Sequence, residues 1–403
     1  MYFPNMNRQL HIHKIKYVEK ISKDAEDGYI SRKVIKTWLK TGVPMRIDNQ
    51  LPGGNVIVQQ IDGHNALLKR ELRDTAGNWF YWKFRAEFDE PGDYAFTFLE
   101  GASIGNRGAA VSVDNGKTWT WGGVSEEDKK AETFRYHAAM AGEVWFCVCV
   151  PYMQSDWDAF MASMPEGTFH CEELCRSRKG RSVELLRWGN GPKAILVTTR
   201  HHCQESMATH SLEGMLREVA VHPFLYKEYT FYAVPFADKD GVEDGDQGKN
   251  RKPHDHARDY GADAIYPEVK AIMALAYRVK PVLLFDMHCP WLRGPTDIYT
   301  YFVGQENPRI QAGITAFSSV LEIESPASFP HHSSDDMPFG VSWNTSANYT
   351  QGKTMVMWAA GLPWEPRAQS IEIPFANLRD LTVDAAAAKE FGAALARTIL
   401  KVI

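Results

Sequence analysis

The chain has 403 residues, 44% of them hydrophobic and 24% charged, a length and balance that suit a globular protein of more than one domain. A formal net charge of −5 gives no sign of nucleic-acid binding, which would need a strongly basic face. No apolar run reaches bilayer length, and the opening "MYFPNMNRQLHIHKIKYVEK" lacks the apolar core of a signal peptide, so the expected compartment is the cytoplasm, with no membrane partner.

Residues 1–49 carry no decisive pattern. "ISRKVIKTWLK" fits a strand or a short helix, and His11 and His13 fit alternate positions of a strand. From about residue 50 to 155 the chain is β-rich. "GNVIVQQI", "WFYWKFRAEF", "DYAFTFLEG", "AAVSVDNGKTWTW" and "VWFCVCVPY" are short, aromatic and β-branched, with turn residues such as Asp114-Asn115-Gly116 between them. Strands in succession without helices predict an antiparallel β-sandwich over 1–155. Cys147 and Cys149 read as small core residues of a strand, whereas Cys171 and Cys175 in "HCEELC" fit one helical face. Six cysteines in a chain of this length make no disulfide framework.

Over 156–403 strands and helices alternate. Ala194–Thr198, "EYTFYAVPF", "PVLLFDMHC" and "AQSIEIPFAN" read as strands. Met207–Val221, "YPEVKAIMALAYRVK" and the closing "DAAAAKEFGAALARTILKV" read as helices. The pattern predicts an α/β domain with a mixed central sheet flanked by helices. Residues 238–260, "DKDGVEDGDQGKNRKPHDHARDY", form a polar loop of a length that usually serves a function.

His202 and Glu205 follow the first of these apolar strands, and His288 ends another. Ligands gather at the carboxyl ends of strands in such sheets, so these three residues are candidates to converge. Two imidazoles and a carboxylate make a three-ligand zinc site with a fourth position open to water, one ion per chain. Arg258 in the long loop has the planar fork that suits a substrate carboxylate. Glu372 lies within an otherwise apolar strand, where an unpaired carboxylate needs a reason; beside a metal-activated water it would be a general base. Glu322 and Glu324 in "SVLEIESP" alternate in the same manner and are its rivals. Asp286 is a candidate either to orient an imidazole or only to accept backbone hydrogen bonds at a strand end, and the acidic run 243–246 either to rim the site and favour basic substrates or to form a solvated loop tip.

The ordered motifs H-x-x-E, a D-G-V loop ending in D-x-x-R, a strand-end histidine and a late strand glutamate resemble the zinc metallocarboxypeptidases over roughly residues 45–400. The likeness is closest to the cytosolic carboxypeptidase branch, in which a β-sandwich precedes the catalytic domain. The resemblance implies zinc on His202, Glu205 and His288, Glu372 as general base, and Arg258 as the receptor of a substrate carboxylate. Two departures stand out. Ala257 occupies the place of an asparagine that helps hold the terminal carboxylate, and Gly248 falls where the branch has an oxyanion-stabilising arginine. Lys249 and Arg251 are the basic residues near enough to replace it, and Tyr349 in "ANYTQG" is the candidate for the family's late tyrosine. The expected reaction is hydrolysis of a C-terminal peptide or isopeptide amide, with a peptide or protein C-terminus as substrate. The alternatives are a zinc deacylase of small N-acyl amino acids and a non-catalytic protein that grips a peptide end or glycan.

Overall fold

Alternation of aromatic and polar residues builds the first half of the fold. The computed structural model describes residues 44–403. The "ISRKVIKTWLK" segment, His11 and His13 lie outside them. Nine strands come first: β1 (Met45–Asp48), β2 (Ile57–Asp62), β3 (Asn65–Lys69), β4 (Lys83–Phe88), β5 (Gly92–Phe98), β6 (Ala110–Ser112), β7 (Thr120–Trp121), β8 (Thr133–Ala138) and β9 (Gly142–Cys147). One sheet runs in the order β1-β4-β9-β6-β7 and is antiparallel throughout. The other runs β2-β3-β5-β8 and departs from the antiparallel expectation at one pair, because β3 and β5 are parallel.

Rings from the two sheets meet between them. Phe84 of β4 stands 5.6 Å from Phe96 of β5, and Phe146 of β9 stands 5.3 Å from Phe134 of β8. All four are essentially buried. Aromatic burial of this kind is the main source of cohesion in a thin two-sheet layer.

The second half is built on β10 (His170–Arg176), β11 (Ser182–Gly189), β12 (Lys193–Thr199), β13 (Tyr229–Val234), β14 (Leu283–His288), β15 (Tyr301–Phe302) and β16 (Arg367–Glu372). Their order in the sheet is β10-β11-β13-β12-β14-β16-β15. The inner strands β13, β12, β14 and β16 are mutually parallel, while β10, β11 and β15 join antiparallel. Every residue of β14 is buried. Since successive side chains point to opposite faces, both faces of the sheet are covered there.

The helices are α1 (Glu126–Lys130), α2 (Gln154–Ser163), α3 (Ser206–Ala220), α4 (Lys239–Asp244), α5 (Pro267–Val279), α6 (Pro308–Glu324), α7 (Met355–Ala359) and α8 (Ala385–Val402). α3 packs on β12 and β14 and also against α8. The two helices touch through glycine: a Cβ on Gly214 would lie 1.9 Å from the Lys389 carbonyl oxygen, and one on Gly392 would lie 1.8 Å from that of Ser211.

Two readings of the sequence are corrected. Cys171 and Cys175 lie on the strand β10, not on a helix. Glu322 and Glu324 close the helix α6, not a strand, and pair with groups at its end: Glu322 with Ser333, Glu324 with Arg397 and Lys401. Neither is a rival to Glu372. Among the described residues, no helix is long and apolar enough to cross a membrane.

Candidate metal centre and cleft

Parallel strands end on the same side of the sheet, and that geometry gathers the polar residues. β12 stops at Thr199 and the chain turns through Arg200, whose φ is +66°. Arg200 is buried, and its guanidinium donates to the carbonyls of Cys203 and Tyr152, fixing the turn that presents His202. Glu205 stands at the residue just before the first turn of α3, its carboxylate turned to His202 and His288 rather than to the helix N–H groups. On the next strands His288 and Glu372 are register partners at the ends of β14 and β16.

The ligand atoms of His202, Glu205 and His288 lie within 4.8 Å of one another. Nδ1 of His202 is 2.9 Å from Glu205 Oε1, and Nδ1 of His288 is 2.8 Å from Glu205 Oε2. The far nitrogen of each ring meets a second carboxylate: His202 Nε2 lies 3.3 Å from Asp255, and His288 Nε2 lies 2.8 Å from Asp286. This donor set, two imidazoles held from behind and turned toward one carboxylate, fits a zinc-type cation. Burial opposes protonation of both rings, but the carboxylates on either side outweigh it and raise both imidazoles above their ordinary value. Burial would push Glu205 up; Lys249, His202 and His288 instead hold it well below the usual carboxylate range. A second cluster, His201 with Asp286 and His288, is equally tight. Its His201 is fully buried between Asp286 and the Tyr260 hydroxyl, at 2.9 and 2.8 Å, and does not face the cleft.

Glu372 lines the same cleft as His202 and His288. It is only 6% exposed, and its Oε2 has no hydrogen-bond partner among the described residues. Burial pushes its carboxyl above the ordinary value, Glu205 adding to the effect and Lys249 opposing it. A buried carboxylate with a free oxygen is poised to take a proton.

The long loop supplies cations. Lys249 reaches into the cleft, its Nζ 2.8 Å from Glu205 Oε1 and 3.0 Å from the Cys289 carbonyl oxygen. Gly248 has a φ of +80°, and a Cβ there would lie 2.6 Å from the Cys203 nitrogen, so no arginine fits at that position. Arg251, expected beside Lys249 as an alternative, is turned away from the cleft. Its guanidinium is taken by Asp238 and Asp246, the latter at 2.8 Å, with Asp74 at 3.9 Å. The acidic run is likewise engaged elsewhere, Asp244 with Lys179 and Arg181 and Asp246 with Arg73.

Arg258 lines the cleft and has no carboxylate within ion-pair distance among the described residues. Its sequence neighbours are otherwise occupied: Asp255 accepts from the Asn250 and Ala257 N–H groups and Asp259 from those of Ile265 and Tyr266. The Arg258 guanidinium lies 5.1 Å from the centre of the Tyr349 ring, also in the cleft, and the Tyr349 hydroxyl donates to Asn344 at 2.6 Å. Ala257 is buried and contributes no side-chain donor.

Sequence reasoning missed several participants. Asp255, in "PHDHARD", was readable as a loop acid but not as the support of His202. Trp79, from the first half of the chain, stands with its ring 5.2 Å from Lys249 Nζ. Asp297 lines the cleft, is 8% exposed, and is pushed up to about 7 by burial, with Lys249 opposing the shift. No short motif marks it.

The central sheet and its helices have the metallo-carboxypeptidase fold. The metallo-carboxypeptidase from Burkholderia cenocepacia superposes with a TM-score of 0.73 at 20% identity, covering 89% of this chain and 99% of that one. The metallo-carboxypeptidase from Pseudomonas aeruginosa, in complex with (2-guanidinoethylmercapto)succinic acid, gives 0.68 at 22% identity, covering 88% and 98%. Such likeness establishes the fold. No family model matches the chain. An uncharacterised protein of Zymomonas mobilis is 24% identical over 209 residues, so the chain spans 54% of that curated relative and 49% of itself is matched.

Proposed function

We propose that the chain is a zinc-dependent hydrolase of C-terminal peptide or isopeptide amides, with His202, Glu205 and His288 as the metal ligands. It would stand nearest the cytosolic carboxypeptidase branch, with the described residues up to 155 as a supporting β-sandwich domain and 156–403 as the catalytic domain. The observation that carries the reading is one cleft, lined by His202 and His288 with Glu205 buried against both, that also holds the unpartnered Glu372 Oε2 and the unpaired Arg258.

A bound divalent cation would polarise the scissile carbonyl and make a water acidic enough to attack near neutral pH. Arg258 binds the substrate's terminal carboxylate through its fork, with Tyr349 stacked beside it. Lys249 supplies a fixed positive charge where the carbonyl oxygen becomes anionic, the role for which Gly248 leaves no side chain. Glu372 accepts the proton that the attacking water gives up as its oxygen bonds to the carbonyl carbon. It passes that proton to the amine nitrogen as the C–N bond breaks.

The test is release of the terminal residue from peptides with free and amidated C-termini by the zinc-loaded protein, beside a Glu372→Gln variant. Cleavage of the free acid alone, lost in the variant with zinc retained, is the expected result. Release of an acyl group from small N-acyl amino acids, with peptides untouched, would replace this reading with the deacylase. One observation favours a non-catalytic alternative: the Lys249 ammonium already neutralises Glu205 at 2.8 Å. A protein that binds peptide ends but takes up no zinc would decide for it.

A further inference from the structure

The Lys249 ammonium is in contact with three groups, and one of them comes from the first half of the chain. Its side chain is 13% exposed, with Nζ 2.8 Å from Glu205 Oε1 and 3.0 Å from the Cys289 carbonyl oxygen. The third group is the ring of Trp79, whose centre lies 5.2 Å from Nζ. Trp79 stands between β3 and β4 and is fixed without help from Lys249. The buried Arg70 guanidinium donates to its carbonyl oxygen at 2.7 Å and to the neighbouring Asn78 side chain at 2.8 Å. Its ring packs against Trp291, two residues past Cys289, with centres 4.8 Å apart. The indole N–H of Trp79 is buried and has no hydrogen-bond partner among the described residues. A tryptophan that leaves its donor unspent is used for its ring face, which attracts a cation more strongly than a phenyl ring does.

We propose that Trp79 is a positioning residue for Lys249, its ring holding the ammonium where the scissile carbonyl oxygen becomes anionic. The inference rests on the hydrolase reading and deepens it at that one charge. Glu205 alone does not fix Lys249 in the working protein, because a metal cation would compete with the ammonium for the same carboxylate. The Cys289 carbonyl and the Trp79 ring are outside that competition and keep the ammonium in place. A charge held in position beforehand costs no rearrangement as the oxyanion develops, so its loss is felt in kcat more than in KM. The same segment of chain also grips the loop itself, since the Thr75 hydroxyl donates to the Lys249 carbonyl oxygen. The purely structural role, a ring that only fills space beside Phe80 and Trp291, predicts lost stability and no dependence on the presence of Lys249.

The experiment is a double-mutant cycle on zinc-loaded full-length protein, with free-acid peptides as substrate. Trp79→Leu is expected to lower kcat about tenfold with KM unchanged, and Trp79→Phe, which keeps a weaker ring face, about threefold. In a Lys249→Met background neither change is expected to cost anything further. Trp79→Phe decides alone if Trp79→Leu does not fold. A second readout needs neither metal nor turnover: the ε-methylene signal of Lys249 in metal-free protein carrying 13C-labelled lysine, identified by its absence from Lys249→Met. Ring current is expected to displace it upfield in wild type, less in Trp79→Phe and not at all in Trp79→Leu. An equal loss of kcat with and without Lys249, or a Lys249 signal that Trp79→Phe and Trp79→Leu leave unmoved, would overturn the assignment while leaving the hydrolase in place. If no peptide is cleaved the hydrolase reading falls, and the signal alone decides: a displacement that depends on Trp79 keeps it as the residue that holds Lys249, and its absence ends the assignment.

Discussion

His288 Nδ1 lies 2.8 Å from Glu205 Oε2, although 83 residues separate the two in the chain. The approach is made by the register of β12 and β14, whose parallel pairing sets Thr199 beside Met287. Asp286 fixes the ring from the other side. Its Oδ2 sits 2.8 Å from His288 Nε2, while its Oδ1 accepts from the Thr198 hydroxyl at 2.8 Å. Removing a carboxylate behind a ligand imidazole typically weakens metal affinity 10- to 100-fold, roughly. Asp286→Asn is therefore expected to lower zinc affinity by about that factor, measured by competition with a chromogenic chelator, and His288→Ala to abolish stoichiometric binding. Undiminished zinc in His288→Ala would remove that residue from the ligand set.

In the proposed reaction Arg258 binds the substrate carboxylate and takes no part in the chemistry. Its guanidinium has no ion pair to lose, so Arg258→Ala is expected to leave folding nearly unchanged and to raise KM for free-acid peptides. Loss of a charge-assisted bidentate contact corresponds to roughly 2–3 kcal/mol, or about 30- to 150-fold. Steady-state kinetics on free-acid and amidated peptides checks this. If the variant loses kcat with KM unchanged, Arg258 acts on the transition state and its assignment as the carboxylate receptor is wrong.

The loop that carries Lys249 is held by the first half of the chain. Asp74 accepts from the N–H groups of Gln247 at 3.0 Å and Gly248 at 2.9 Å, and the Thr75 hydroxyl donates to the Lys249 carbonyl at 2.7 Å. Asp74→Ala leaves both N–H groups without their acceptor, at a cost of roughly 1–3 kcal/mol. We expect lower kcat with zinc content preserved, and faster amide exchange confined to residues 246–251. An exchange pattern identical to wild type would show that the loop holds itself.

Much of this site is legible in the sequence because parallel strands are buried on both faces. "AILVTT" and "LLFDMH" stand out as apolar runs, and a polar residue at their carboxyl ends is conspicuous. The fates of Lys249 and Arg251 were not legible. Two residues apart in one loop, they part company because Asp238, Asp246 and Asp74 capture the second, and those acids meet only in the folded chain. "SVLEIESP" misled for a different reason. Four residues of alternation also fit the last turn of a helix, where Leu321 is buried and Ile323 is 81% exposed. The β10–β11 hairpin escaped because β10 is largely exposed and shows no apolar alternation.

Acid stability offers a test far from the cleft. His210 on α3 is buried, with Nε2 3.2 Å from the Pro151 carbonyl oxygen and its ring edge-on to Tyr152. Burial, with Lys389 nearby, drives its pKa down from 6.5 to about 3. The folded protein therefore keeps His210 neutral where the unfolded chain protonates it. As pH falls below 6.5, the unfolded state binds a proton the folded state refuses, and stability is lost until pH reaches about 3. The slope for this one group is about 1.4 kcal/mol per pH unit. His210→Gln keeps a donor for the Pro151 carbonyl but cannot titrate. Urea unfolding of both proteins at pH 7.5 and 4.5 should show the variant gaining on wild type by about 3 kcal/mol over that interval, all other titrations cancelling in the difference. A gap that stays constant between the two pH values would mean that His210 is protonated in the folded state, and that α3 tolerates a charge where it packs on the Pro151 segment.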